Sequence, residues 1–278
     1  MSGTGQLRGQ HGLVPKCISD HAVSEPRQWG RVTVYARDVV VKRKWVGLQS
    51  PPPGGTRGVI AGLSRAARGR LLLTARNLQG LCVLLTLTYP AEFPVDGRRV
   101  KRDWSVMRKW LVRRGVSGLW FLEFQERGAA HVHVFLTGPV PKDEVSEAWY
   151  GIVASGDTRH LRAGTSIEWL RAPHAPAAYA AKYAVKQSQK VVPLEFSEVG
   201  RFWGLFGGLR VERVQVAGEL VLVSGVIRTA RRAHNATRRV LGWPEVKDGG
   251  RRGFTAWNVG PVMRGYVDAE WGSYVRAL

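Results

Sequence analysis

The chain has 278 residues and 44% of them are hydrophobic, enough to fill a sizeable core and to argue against global disorder. It carries 42 Lys+Arg against 21 Asp+Glu, a net charge of +21 with a pI near 11.0, so a polyanion, and by default nucleic acid, is the expected partner. Two cysteines with no CxxC spacing argue against a disulfide framework or a thiolate zinc site and fit a reducing cytoplasm; the best apolar run, LCVLLTL (81–87), is too short to span a bilayer.

Residues 1–30 read as irregular and begin without an apolar leader segment. RVTVYARDVVVKRKWVG (31–47) alternates well enough for one or two strands, and SPPPGG (50–55) reads as a linker. LSRAARGRLLLTARNL (63–78) predicts a basic amphipathic helix, and LCVLLTLTY (81–89) a strand stopped by Pro90. KRDWSVMRKWLVRRG (101–115) predicts a helix ended by Gly115. GLWFLEFQ and HVHVFLTG predict two strands around ERGAA, followed by helices over 141–153 and 174–190, the latter opened by Pro176. Strand–helix–strand–strand–helix is the order of a split βαβ plait, an α+β fold with an antiparallel sheet and helices on one face. Farther on, ELVLVSGVI (219–227) predicts a strand and RTARRAHNATRRVL (228–241) a strongly basic helix. The expected organisation is an N-terminal basic segment over 1–56, a central domain over 57–207, and a basic, DNA-contacting accessory segment over 208–278.

Two histidines stand out within GAAHVHVFL (128–136). Residues two apart on a strand share a face, so His131 and His133 face one way with Phe135, and Val132, Val134 and Leu136 the other. An odd-length hairpin loop pairs Gln125 with His131 and Glu123 with His133, which adds Glu123 and Gln125 to the histidine face. A bulge at Gly128 would change this and leave Glu126 as a fallback ligand. A carboxylate and two imidazoles on one surface suit Mg²⁺ or Mn²⁺ acting on a phosphate, and the same residue types are compatible with Zn²⁺. The bland alternative is an exposed polar hairpin face.

YAAKYAVK (179–186) contains YxxK twice. Tyr179 and Tyr183 lie one helical turn apart on one face, with Lys182 and Lys186 three residues beyond each. Such a stripe is ordinarily core packing, but the intervening alanines leave both phenols presentable. A phenol is a weak nucleophile, with a pKa of about 10, and a neighbouring lysine stabilises its phenolate. No GxxxxGK[ST] phosphate loop occurs in the sequence.

Together these residues resemble the HUH endonucleases, specifically rolling-circle replication initiators of the bacteriophage and plasmid type. LLTLTYP (84–90) resembles the family's first motif, EFQERGAAHVH (123–133) its metal-binding motif, YAAKYAVK its nucleophile motif, and GRFWG (200–204) a stretch often found downstream. The similar region runs from about 64 to 205, and the motif order separates the chain from relaxases, whose tyrosines precede their histidines. The resemblance implies the HUH fold, a divalent ion held by His131, His133 and Glu123 with Gln125 as a substitute, and attack by Tyr179 or Tyr183 on a single-stranded or locally melted origin. A 5′-phosphotyrosine and a free 3′-OH would result, and Thr86 and Thr88 are given a positional role. No helicase domain is visible, so host helicase and polymerase in a bacterial cytoplasm are expected to complete replication. The rivals are a two-tyrosine transposase of the same superfamily and a non-enzymatic DNA-binding regulator.

Overall fold

The computed structural model describes residues 27–46, 60, 62–172, 174–185, 192–246, 253–271 and 276–277. The linker expected at 50–55 and the start of the chain lie outside them.

Alternating apolar residues build the central sheet. Strands β3 (Val83–Thr88), β4 (Gly118–Phe124), β5 (Ala130–Leu136), β6 (Thr165–Trp169) and β7 (Trp203–Phe206) lie in the order β6-β3-β5-β4-β7, every pair antiparallel. Helix α2 (Gly97–Arg113) joins β3 to β4, and α3 (Lys142–Val153) with the short α4 (Thr158–Ala163) joins β5 to β6. This is the expected βαββαβ plait. Asp96 caps α2 by accepting from the Arg98 N–H, and Gly115, in the left-handed region at φ 73°, follows its end.

One sheet face carries Val83, Leu85, Leu87, Trp120, Leu122, Val132, Val134 and Leu136, buried against Trp104, Met107 and Leu111 of α2 and Val145 and Trp149 of α3. The opposite face is also covered over part of its length. Leu71 and Ala75 of α1 (Arg65–Asn77) and Ala180 of α5 (Ala175–Val185) pack there against Leu119, Phe121 and Phe135. The helices thus occupy both faces, because the odd-numbered residues of β4 are apolar up to Phe121 and turn polar only at Glu123.

The hairpin register differs from expectation by two residues. Glu123 pairs with His131, Phe121 with His133 and Phe124 with Ala130. The loop is the three residues Glu126–Gly128: the Gly128 N–H donates to the Gln125 carbonyl (2.8 Å) and the Gln125 N–H to the Ala129 carbonyl (2.9 Å), with Gly128 at φ 85°. A type I turn followed by a left-handed glycine closes the hairpin more tightly than a five-residue loop. Three and five are both odd, so the face assignment is unchanged.

The two chain ends meet in a second sheet, ordered β10-β8-β1-β2-β9. β1 (Arg27–Tyr35) and β2 (Val39–Val46) come from the N-terminal part; β8 (Arg213–Glu219), β9 (Gly253–Ala256) and β10 (Arg276–Ala277) come from the C-terminal part. Val32, Val34, Val39, Val41, Val214 and Val216 face α6 (Leu220–Val240) and α7 (Gly260–Trp271), making a second core. The terminal segments, expected as separate attachments, are therefore halves of one sheet. The strand expected at ELVLVSGVI is instead the start of α6: Val223, Val226, Ile227, Ala230 and His234 are buried at helical spacing, a period masked by the β-branched run.

A buried carboxylate ties the sheets together. Asp38, fully buried, accepts from Arg76 Nε and Nη2 (both 2.9 Å), Asn77 Nδ2 (2.9 Å) and the Asn258 N–H (3.0 Å). Replacing Asp38 with alanine leaves a mostly buried guanidinium and an N–H unpartnered, and is expected to cost about 3 kcal/mol in urea unfolding. A loss below about 1 kcal/mol would show that the network is not what holds the junction.

Candidate functional site

The site grows from cross-strand pairing on the partly open sheet face. Thr86 stands opposite His133 and Thr88 opposite His131, and each threonine Oγ1 meets the Nδ1 of its partner, at 3.1 and 3.2 Å. In the tautomer that donates Nδ1–H to threonine, Nε2 keeps its lone pair for a ligand. The two imidazole centroids are 4.4 Å apart. Glu123 Oε2 lies 3.2 Å from His133 Nε2, both side chains being about seven-eighths buried (14% and 13% exposed).

The strand holding Thr88 is fixed from behind. Its carbonyl accepts from Trp149 Nε1 (2.8 Å) and meets His160 Nε2 (2.7 Å), while His160 Nδ1 contacts Ser155 Oγ (3.1 Å). Arg127, at a corner of the β4–β5 turn, holds the segment after Thr88 by donating to the carbonyls of Tyr89 (2.6 Å) and Pro90 (2.6 Å). Sequence reasoning missed both His160 and Arg127. Arg127 sat in view within ERG, but only the folded turn shows which carbonyls it reaches.

Burial lowers the His131 pKa from 6.5 to about 4, helped by His133 and Arg127 and opposed by Glu123. The imidazole is therefore neutral at neutral pH, the form a metal ligand needs. The unfolded chain takes up this proton near pH 6.5 and the folded chain only near 4. Stability from this group is thus complete above about 6.5 and is lost as pH falls towards 4, on the order of 2–3 kcal/mol. Urea titrations of wild type and His131→Gln across that interval should show a shallower pH slope in the variant; equal slopes would contradict the assignment.

Tyr179 reaches this cluster from α5. Its ring centroid is 5.2 Å from that of His133, 5.4 Å from Phe135 and 5.8 Å from Phe121, and its phenol is hydrogen-bonded to Glu123. Burial, then the charge of Glu123 and that hydrogen bond, push the phenol above the ordinary tyrosine range. Lys182 is exposed on the same helix. Tyr183 lies in α5 one turn on, with only its backbone described, and Lys186 lies outside the described residues.

Gln125 does not join the histidines. Its Oε1 accepts from Arg127 Nε (2.9 Å), and the tighter turn places it beyond the paired strand. Glu126 is an exposed corner of the turn. Among the described residues no three His, Cys, Asp or Glu side chains are already grouped around one metal position. Glu123, His131 and His133 nonetheless fit a divalent ion in chemistry: a carboxylate beside two imidazoles, each imidazole held through Nδ1 so that Nε2 remains.

Residues 82–188, which contain Glu123, both histidines and the tyrosine helix, match the family model of the replication-associated protein of ORF2 type. No curated protein and no solved structure matches the chain. No helix of the described residues is long and apolar enough to cross a membrane.

Proposed function

We propose that the protein is a replication initiator that nicks and rejoins single-stranded origin DNA through a tyrosine of α5. The observation that carries this assignment is the convergence of Tyr179, Glu123 and His133 on one partly open sheet face, within the segment similar to replication-associated proteins. A divalent ion, Mg²⁺ or Mn²⁺, held by Glu123, His131 and His133 would draw charge from a scissile phosphate. The phenol oxygen of the attacking tyrosine bonds to phosphorus, the bond from phosphorus to the 3′ oxygen breaks, and the tyrosine proton has Glu123 as its nearest acceptor. A 5′-phosphotyrosine and a 3′-OH result, so the bond energy is kept for rejoining and no nucleotide triphosphate is needed.

Thr86 and Thr88 orient the imidazoles, and Lys182 and Lys186 follow the tyrosines by three residues, where a cation favours a phenolate. The net charge of +21 supports DNA as the partner and phosphate contacts as the main source of affinity. The test is a nicking gel with single-stranded origin-like oligonucleotides and Mn²⁺. A covalent protein–DNA band that disappears in EDTA supports the proposal; cleavage undiminished in excess chelator refutes it.

A further inference from the structure

Away from the histidine face, where α1, α6 and the turn between β9 and α7 meet, a cavity of about 220 Å³ is lined by Leu72, Arg76, His234, Arg238, Trp243 and Trp257, among others. One wall forms because α6 ends at Gly242, which takes φ 67° and lets the Trp243 N–H donate back to the Arg238 carbonyl (2.8 Å). The Trp243 ring then lies 5.6 Å from the Arg238 guanidinium. On the other wall the Arg76 guanidinium sits 4.9 Å from the Trp257 ring. His234 is 4% exposed and stacks on Phe254 at 6.1 Å, yet its Nδ1 has no hydrogen-bond partner among the described residues. A buried polar atom left so requires a cause, and a ligand supplies one.

The lining chemistry selects the ligand. Phosphate is a poor fit, since the Arg76 charge is already matched by Asp38 and Arg238 Nε donates to the Pro244 carbonyl. Burial and then Arg238 lower the pKa of His234, so the imidazole is neutral at neutral pH. What remains is indole and leucine surface with one uncharged hydrogen-bonding group. The volume is below the roughly 300–1,000 Å³ of drug-sized sites. A flat, uncharged heteroaromatic with a polar edge meets these conditions. Arg228 and Arg232, one turn apart and exposed on the same helix, are placed to meet flanking phosphates.

We propose that this cavity takes one unpaired nucleobase, stacked against the indoles of Trp243 and Trp257 and hydrogen-bonded to His234. It would anchor a strand outside the nicking site; only the identity of that strand as origin DNA rests on the proposed function. The base could belong to a strand or to a free nucleotide, which share this chemistry.

Binding to the full-length protein in EDTA keeps the test independent of nicking. Labelled single-stranded oligonucleotide is titrated by anisotropy, and AMP and TMP are titrated by tryptophan fluorescence. Trp243 is 52% exposed, so Trp243→Ala leaves the core intact. It is expected to weaken oligonucleotide binding about tenfold, while the salt slope stays at the wild-type value because no phosphate contact is removed. His234→Leu should weaken it in the same sense. Mononucleotide quenching that is lost in Trp243→Ala would show that the cavity takes a free base. Oligonucleotide binding without mononucleotide binding, still weakened in the variants, would show that the base arrives in a strand. Wild-type affinity in both variants, or a changed salt slope as the only effect, would overturn the proposal.

Discussion

Replacing His131 or His133 with alanine is expected to lower nicking at least about 100-fold while leaving most of the DNA binding. The loss follows from the donor set. Each imidazole is held by a threonine hydroxyl, and even partners outside a metal's direct ligands typically cost about 10–100-fold when removed, so a ligand itself should cost more. Binding should survive because it draws on phosphate contacts spread over a strongly basic molecule. Glu123→Gln should fail as severely, since that carboxylate contacts both His133 and the Tyr179 phenol. Chelator should act on wild type as the substitutions do. A His131→Ala protein that nicks at the wild-type rate would remove the metal from the mechanism.

Tyr179→Phe and Tyr183→Phe are each expected to keep the covalent adduct within about tenfold of wild type, and the double variant to lose it; a tenfold change is only about 1.4 kcal/mol of barrier. Phenylalanine preserves the ring that Tyr179 packs against Phe121, His133 and Phe135, so the fold should survive. Four residues of helix separate the tyrosines by about 6 Å along the axis, close enough for the two to serve one phosphate in turn. One would hold the 5′ end while the other attacks the regenerated origin. If Tyr179→Phe alone abolishes the adduct, Tyr179 is the sole nucleophile and alternation is wrong. If Tyr183→Phe alone does so, the bond from Tyr179 to Glu123 serves packing.

Much of this site was legible in the sequence because a strand's period is two. The period put Glu123 on the histidine face whichever odd loop closed the hairpin. The residue directly opposite was not legible, since Gly128 could close a loop of three as readily as ERGAA could form one of five. Gln125 misled for that reason: parity placed it on the face, but the turn carried it past the strand to Arg127. The plait was readable from element order. The second sheet was not, because β1 and β8 come from opposite ends of the chain and their pairing leaves no local periodic signal. ELVLVSGVI misled through its β-branched residues, which favour strands until a helical burial period overrides them. The tyrosines offered a stripe but no neighbours; only folding brings Tyr179 to Glu123.

The measurement closest to the central claim is mass spectrometry of the protein after reaction with a single-stranded origin oligonucleotide and Mn²⁺. The digested adduct is expected to carry the strand's 5′ phosphate on Tyr179 or Tyr183, with a free 3′-OH on the released fragment. Nicked product with a free 5′ phosphate and no modified tyrosine would make water the nucleophile and contradict the account.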